Sequence, residues 1–189
     1  MTVHIVERWA QGTPLADYIQ ASAARRQVLR RLAEITLPEE VRAFFQNLTT
    51  PIYGLVITED WCPLTPEVLA VLMHCSELSQ GRLQVRVFKR DANPDLMELY
   101  LREGKYRSIP VVAFFDERFQ PLGDIREKPE LPEWSDLEWH QRLLARMRMG
   151  LSELWGRACM AIIAQGLSTG EDEQPDEDHR DLELSKGRQ

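Results

Sequence analysis

Residues 52–65 hold an abrupt change of pattern. Ile52-Tyr53-Gly54-Leu55-Val56-Ile57 is an apolar run of the length and composition of a buried strand. Thr58-Glu59-Asp60-Trp61-Cys62-Pro63-Leu64-Thr65 follows at once. Val68, Val71, Leu72, Cys75 and Leu78 then recur at helical spacing, which predicts a helix over about 63–79, stopped by Gly81. A chain that leaves a buried strand and turns directly into a helix is starting a βα unit, and such units build parallel strand pairs under helices. Cys62 lies at that junction, where the first free helix amides and the helix dipole favour a thiolate.

The rest of the chain extends this beginning. Leu83, Val85 and Val87 alternate with Gln84 and Arg86 as a second strand, and Asn93-Pro94 opens a helix that stops at Gly104. Val111-Val112-Ala113-Phe114-Phe115 reads as a buried strand, and a weaker one at about 119–125 carries Pro121, which suits an edge. Upstream, Thr13-Pro14 looks like a capped helix start running to about Ala33, and Pro38-Glu39-Glu40 opens a second helix. The order is helices, then β-α-β-α-β-β, then helix. It implies an α/β fold with a mixed central sheet flanked by helices.

The last helix is predicted over about 135–166, with Ser135 and Glu138 as a capping box and Leu137, Leu144, Leu151 and Ala158 recurring every seven residues. At about 45 Å it exceeds the width of a small domain. Either it bends near Gly150 or Gly156, or its end projects onto another subunit, which makes a homodimer through the C-terminal helix one reading. The divisions expected are 1–50, a helical N-terminal extension; 51–166, the central domain with its long helix; and 167–189, a disordered acidic tail.

Charge and cysteine content narrow the classes. The net charge is −7, and from Ser168 to Gln189 eight acids against three bases give −5, leaving −2 for the body. Nucleic acid is a poor partner for such a chain. No apolar run reaches the roughly 20 residues of a membrane span, and the first residues lack the pattern of a signal peptide. Three cysteines, an odd number, do not suggest a disulfide framework, so a bacterial-type cytoplasm is the simplest compartment. The four histidines are scattered, and there is no Gly-rich phosphate loop, so neither a metal nor a cofactor is expected.

The strand into Asp60-Trp61-Cys62-Pro63-Leu64-Thr65, the second βα unit with Arg90-Asp91-Ala92-Asn93-Pro94, and Ser108-Ile109-Pro110-Val111 together resemble the thioredoxin superfamily, over about residues 50–126. More narrowly, the chain is similar to bacterial thioredoxin-like proteins with an Asp-Trp-Cys turn and no second cysteine. The resemblance implies a thioredoxin-like fold in which Cys62 attacks, Trp61 covers the site and Pro110 is a cis-proline facing the sulfur. Trp61, Pro63, Arg107, Ile109 and Pro110 would face substrate, and backbone groups of 108–111 would hold an extended peptide or glutathione-like chain.

Two departures from the family stand out. Thr65 replaces the resolving cysteine, and Leu55-Val56-Ile57 leaves no buried aspartate to shuttle a proton. Thr65 is expected to donate its hydroxyl hydrogen to the Cys62 thiolate. The helix start, Thr65 and Arg107 favour ionisation, whereas Glu59, Asp60 and Glu67 oppose it. Cys75 and Cys159 lie on apolar stripes and read as core. Two functions follow. One is a monothiol thiol–disulfide oxidoreductase whose Cys62 mixed disulfide, with a protein or low-molecular-weight thiol, is resolved by an external thiol. The other is a non-catalytic binding module using the groove beside Pro110 and the long helix.

Overall fold

In the computed structural model, which describes residues 5–171, five strands form one mixed sheet in the order β1-β3-β2-β4-β5. These are β1 (Thr13–Pro14), β2 (Ile52–Thr58), β3 (Leu83–Lys89), β4 (Val111–Phe115) and β5 (Pro121–Arg126). Strands β2 and β3 pair in parallel, with Val56 beside Val87, as the βαβ unit requires. The other pairings are antiparallel, and β5 with its Pro121 lies at the edge. This is the mixed α/β architecture expected from the order of elements, arranged as the resemblance to the thioredoxin superfamily implies.

Among the described residues eight α-helices cover the sheet: α1 (Ile5–Ala10), α2 (Leu15–Ala21), α3 (Arg25–Glu34), α4 (Glu39–Gln46), α5 (Thr65–Leu78), α6 (Pro94–Leu99), α7 (Trp139–Arg148) and α8 (Leu151–Glu171). Alternation along β2 sends side chains to two cores. Ile52 and Val56 join Phe45, Leu69, Leu72, Val85, Phe114 and Trp155 on the α4–α5–α8 side. Leu55 and Ile57 join Trp9, Phe88, Met97, Val111, Phe115 and Cys62 on the α1–α6 side. The indole of Trp9 donates to the Gly54 carbonyl at 2.9 Å, fixing α1 over that second face.

Several boundaries differ from the sequence reading. Thr13 does not cap a helix with its hydroxyl: Thr13-Pro14 is the short edge strand β1, with Thr13 opposite Val87, and Pro14 itself stands at the N-cap of the helix that begins at Leu15, without a side-chain cap. The single helix expected to Ala33 is two, α2 and α3, broken at Ser22–Ala24. Helix α5 starts at Thr65, because Pro63 and Pro66 withhold amide hydrogens and residues 60–64 form turns instead. Helix α6 ends at Leu99, and the chain reaches Gly104, at φ +66°, through an isolated Arg102–Tyr106 bridge.

The predicted 135–166 helix is broken at Met149-Gly150 into α7 and α8. Its capping box is formed one turn later than expected, by Glu138 and Gln141. Helix α8 runs through Glu171, so the proposed tail does not begin at 167; the remainder of that tail, from 172, lies outside the described residues. No described helix is long and apolar enough to cross a membrane.

A cysteine turn against a cis-proline

Cys62 follows β2 by four residues and is 5% exposed. Its amide donates to the Glu59 carbonyl at 3.1 Å, and its carbonyl accepts from the Thr65 amide at 3.1 Å, so the sulfur hangs from two interlocked turns. The Ile109–Pro110 peptide bond is cis. The Cys62 thiol donates to the Ile109 carbonyl oxygen at 3.8 Å, a sulfur-length hydrogen bond. Residues 47 positions apart in the chain therefore meet, Pro63 beside the sulfur in sequence and Ile109 and Pro110 across from it.

Around the cis bond the backbone is only partly used. The Pro110 carbonyl accepts from the Glu127 amide at 2.7 Å, so it is not free to hold an extended chain as expected. The Ser108 carbonyl and the Ile109 amide carry no hydrogen bond among the described residues. They are the strand-like groups open to a peptide at this place.

Thr65 does something other than the sequence reading expects. Its hydroxyl donates to the Glu59 carbonyl at 2.8 Å and therefore accepts from Thr58 Oγ1 at 2.6 Å, and neither side chain is exposed. With its one hydrogen committed, it does not donate to Cys62. It ties the end of β2 to the start of α5. Arg107 likewise turns away: its guanidinium pairs with the Glu98 carboxylate on the surface, so it adds no net positive charge at the sulfur. Trp61 is 62% exposed, with the Arg90 guanidinium 5.0 Å above its ring.

The three acids expected to oppose ionisation are each engaged elsewhere. Glu59, almost buried, accepts from the Asp91 amide at 3.0 Å. Glu67 accepts from Ser152 and pairs with Arg31 at 3.2 Å. Asp60 accepts from Tyr18 Oη at 2.9 Å, Ser22 Oγ at 2.7 Å and the Ala23 amide at 3.4 Å, with Lys89 Nζ 3.7 Å away. Burial pushes the Asp60 carboxyl upward, but the Ser22 and Tyr18 hydroxyls, the Ala23 amide and Lys89 outweigh it and hold it below its ordinary value. Burial, followed by the same carboxylate, raises the Tyr18 phenol.

These Asp60 contacts were invisible to the sequence reading, which counted Asp60 only as a nearby negative charge. The groups that donate hydrogen bonds to it lie 37 to 42 residues upstream, and no local pattern announces them. The other two cysteines are packed thiols: burial raises Cys75 far above its ordinary value and pushes Cys159 up to about 12. Among the described residues no group of three or more His, Cys, Asp and Glu could hold a metal ion. A cavity of about 300 Å³ lies beside Asp60, Tyr18, Phe88 and Lys89, and Cys62 is not part of its wall.

A thioredoxin family model matches residues 12–133, a span that includes the cysteine turn, the cis-proline and all five strands. The chain belongs to the thioredoxin family. Two solved structures share this thioredoxin fold over nearly the whole chain. A protein of unknown function from Pseudomonas aeruginosa is 22% identical, with a TM-score of 0.65, covering 92% of this chain and 100% of its own. An HIV epitope scaffold is 23% identical, with a TM-score of 0.63, covering 89% of this chain and 98% of its own. Identities this low carry the fold alone. No curated protein matches the sequence.

Proposed function

We propose that this thioredoxin-family chain is a monothiol thiol–disulfide oxidoreductase working through Cys62. The observation that carries the reading is the Cys62 sulfur hydrogen-bonded to the carbonyl that precedes the cis-proline, beside an unpartnered Ser108 carbonyl and Ile109 amide. A disulfide-bearing chain laid along 108–109 would bring its sulfur to the one cysteine not sealed in the helical core. Loss of the thiol proton gives the nucleophile and frees the Ile109 carbonyl.

The thiolate attacks one sulfur of the substrate disulfide. A Cys62–sulfur bond forms, the substrate S–S bond breaks, and the departing thiolate takes up a proton. An external thiol then attacks the mixed disulfide, restoring Cys62 and carrying away the substrate half as a new disulfide. Thr65 has no sulfur to perform this second step internally, which is why the resolving thiol must come from solution. A bacterial-type cytoplasm, where thiols are kept reduced, suits three free cysteines.

The near-burial of Cys62 and the engagement of its proton favour a second reading, a binding module without turnover. Exposure to an aromatic disulfide or oxidised glutathione, followed by mass spectrometry, separates the two. Cys62→Ser is expected to abolish adduct formation and Cys75→Ser to leave it intact. Equal labelling of both variants overturns the proposal. Slow alkylation of Cys62 by iodoacetamide, with no rise between about pH 6 and the free-thiol range near 8.5, selects the binding module.

A further inference from the structure

Helix α7 is built from Trp139-His140-Gln141-Arg142-Leu143-Leu144-Ala145-Arg146-Met147-Arg148, and none of its residues is buried. Ten large hydrophobic side chains are exposed among the described residues, and five of them, Trp139, Leu143, Leu144, Met147 and Leu151, fall within residues 139–151. Trp139 and Met147 are each 75% exposed. Spacing of four residues places Trp139, Leu143 and Met147 on one stripe, with Leu144 beside it. Scattered apolar residues are ordinary on a surface, but a contiguous stripe marks a binding face.

Charge along the same segment is divided by position. Glu133, Asp136 and Glu138, before the helix, are exposed and make no ion pair among the described residues. The helix itself contains no acid, and its C-terminal end carries Arg148, exposed and likewise outside the described ion pairs; Arg142 and Arg146 are held by Glu130. An acidic beginning and a basic end make the face complementary to itself when it is turned end over end. A two-fold interface has this requirement.

We infer that the α7 face is the interface of a homodimer, with two copies of α7 packed antiparallel about Leu143. Trp139 of one copy then lies against Met147 of the other, and Asp136 and Glu138 lie alongside Arg148. The antiparallel helix dipoles add to the same preference. An anionic lipid surface suits the face less well, because Glu133, Asp136, Glu138 and a net charge of −7 oppose it. An acidic segment of the kind the sequence carries after 171 would suit the face no better, since it would be repelled by the same three carboxylates. A stripe of this length makes a small interface, so association is concentration-dependent.

Sedimentation equilibrium of the full chain from roughly 1 µM to 500 µM tests this. A monomer–dimer equilibrium is expected, and Leu143→Asp, at an exposed position, is expected to remain monomeric throughout. Should Leu143→Asp lose its fold by circular dichroism, Trp139→Ser provides the same test. Asp136→Lys and Arg148→Glu should each raise the dissociation constant about tenfold, and the two together should return it to within about threefold of the original. A monomer at every concentration overturns the inference, as does a dimer indifferent to these changes. A monomer that cosediments with phosphatidylserine vesicles through Trp139 overturns it in favour of lipid.

Discussion

Thr65 stands where a second cysteine would complete the pair, yet its hydroxyl faces the end of β2 rather than the sulfur. Thr65→Val keeps the shape and removes both hydrogen bonds, leaving the Thr58 hydroxyl unmatched in the interior and the Glu59 carbonyl with the Cys62 amide alone. A loss of about 1–3 kcal/mol in denaturant unfolding is expected, while Cys62 keeps its capacity for adducts. Loss of adducts with unchanged stability would give Thr65 the chemical role instead. Asp60 offers a pH test. Its folded pKa is depressed, so its contribution is complete above the unfolded value of about 3.9 and vanishes as pH falls through the lower folded value. Asp60→Asn should therefore be less stable than the parent near neutral pH, and the two unfolding curves should converge below about pH 4.

Among the elements, α8 is fixed by close backbone approach. A methyl group on Gly166 would stand 2.7 Å from the Cα and carbonyl oxygen of Leu122 in β5, and one on Gly156 would press on Leu37 at 2.9 Å. Gly166→Ala gains about 1 kcal/mol of helix propensity but forces helix and strand apart. A net destabilisation of about 1–3 kcal/mol is expected from thermal or denaturant unfolding. Gly150, between α7 and α8, has nothing within 4 Å of the same methyl position, and Gly150→Ala should change stability by less than about 0.5 kcal/mol. Equal effects at the two sites would contradict the packing argument.

The elements also show what could be read from residue order. The strand and helix sequence from Ile52 to Phe115 was legible because period and composition change together there. A break at Gly150 was one of the alternatives the glycines in that stripe offered, and Gly156, the other, is carried unbroken within α8. The division of α2 from α3 was not: Ser22 spends its hydroxyl on Asp60, a partner that only the folded chain brings near. The seven-residue stripe was misleading in a useful way. It predicts one continuous seam, whereas Leu154, Trp155 and Ala158 enter the core and Leu144, Met147 and Leu151 remain outside.

At the scale of the molecule, the fold could be anticipated from three short segments through their resemblance to a known family, and the nearness of Cys62 to the Ile109–Pro110 bond was implied by that resemblance rather than by any local pattern. The environment of that cysteine could not be anticipated. Thr65, Arg107, Glu59, Asp60 and Glu67 all lie near it in sequence or by resemblance, yet each is satisfied by a different neighbour. Proximity along the chain gives charges; only three-dimensional pairing decides which of them act on the sulfur.

The first fifty residues also belong to this arrangement more closely than an appendage would. Trimming the protein to a minimal fragment that begins at Pro51 would preserve every recognisable motif, yet strip Asp60 of Tyr18, Ser22 and Ala23 and uncover the flank of β3 that Thr13 and Pro14 now close. Such a shortened version would keep its cysteine and lose the brace that aims it, and its bared strand would be a template for sticking to its own kind.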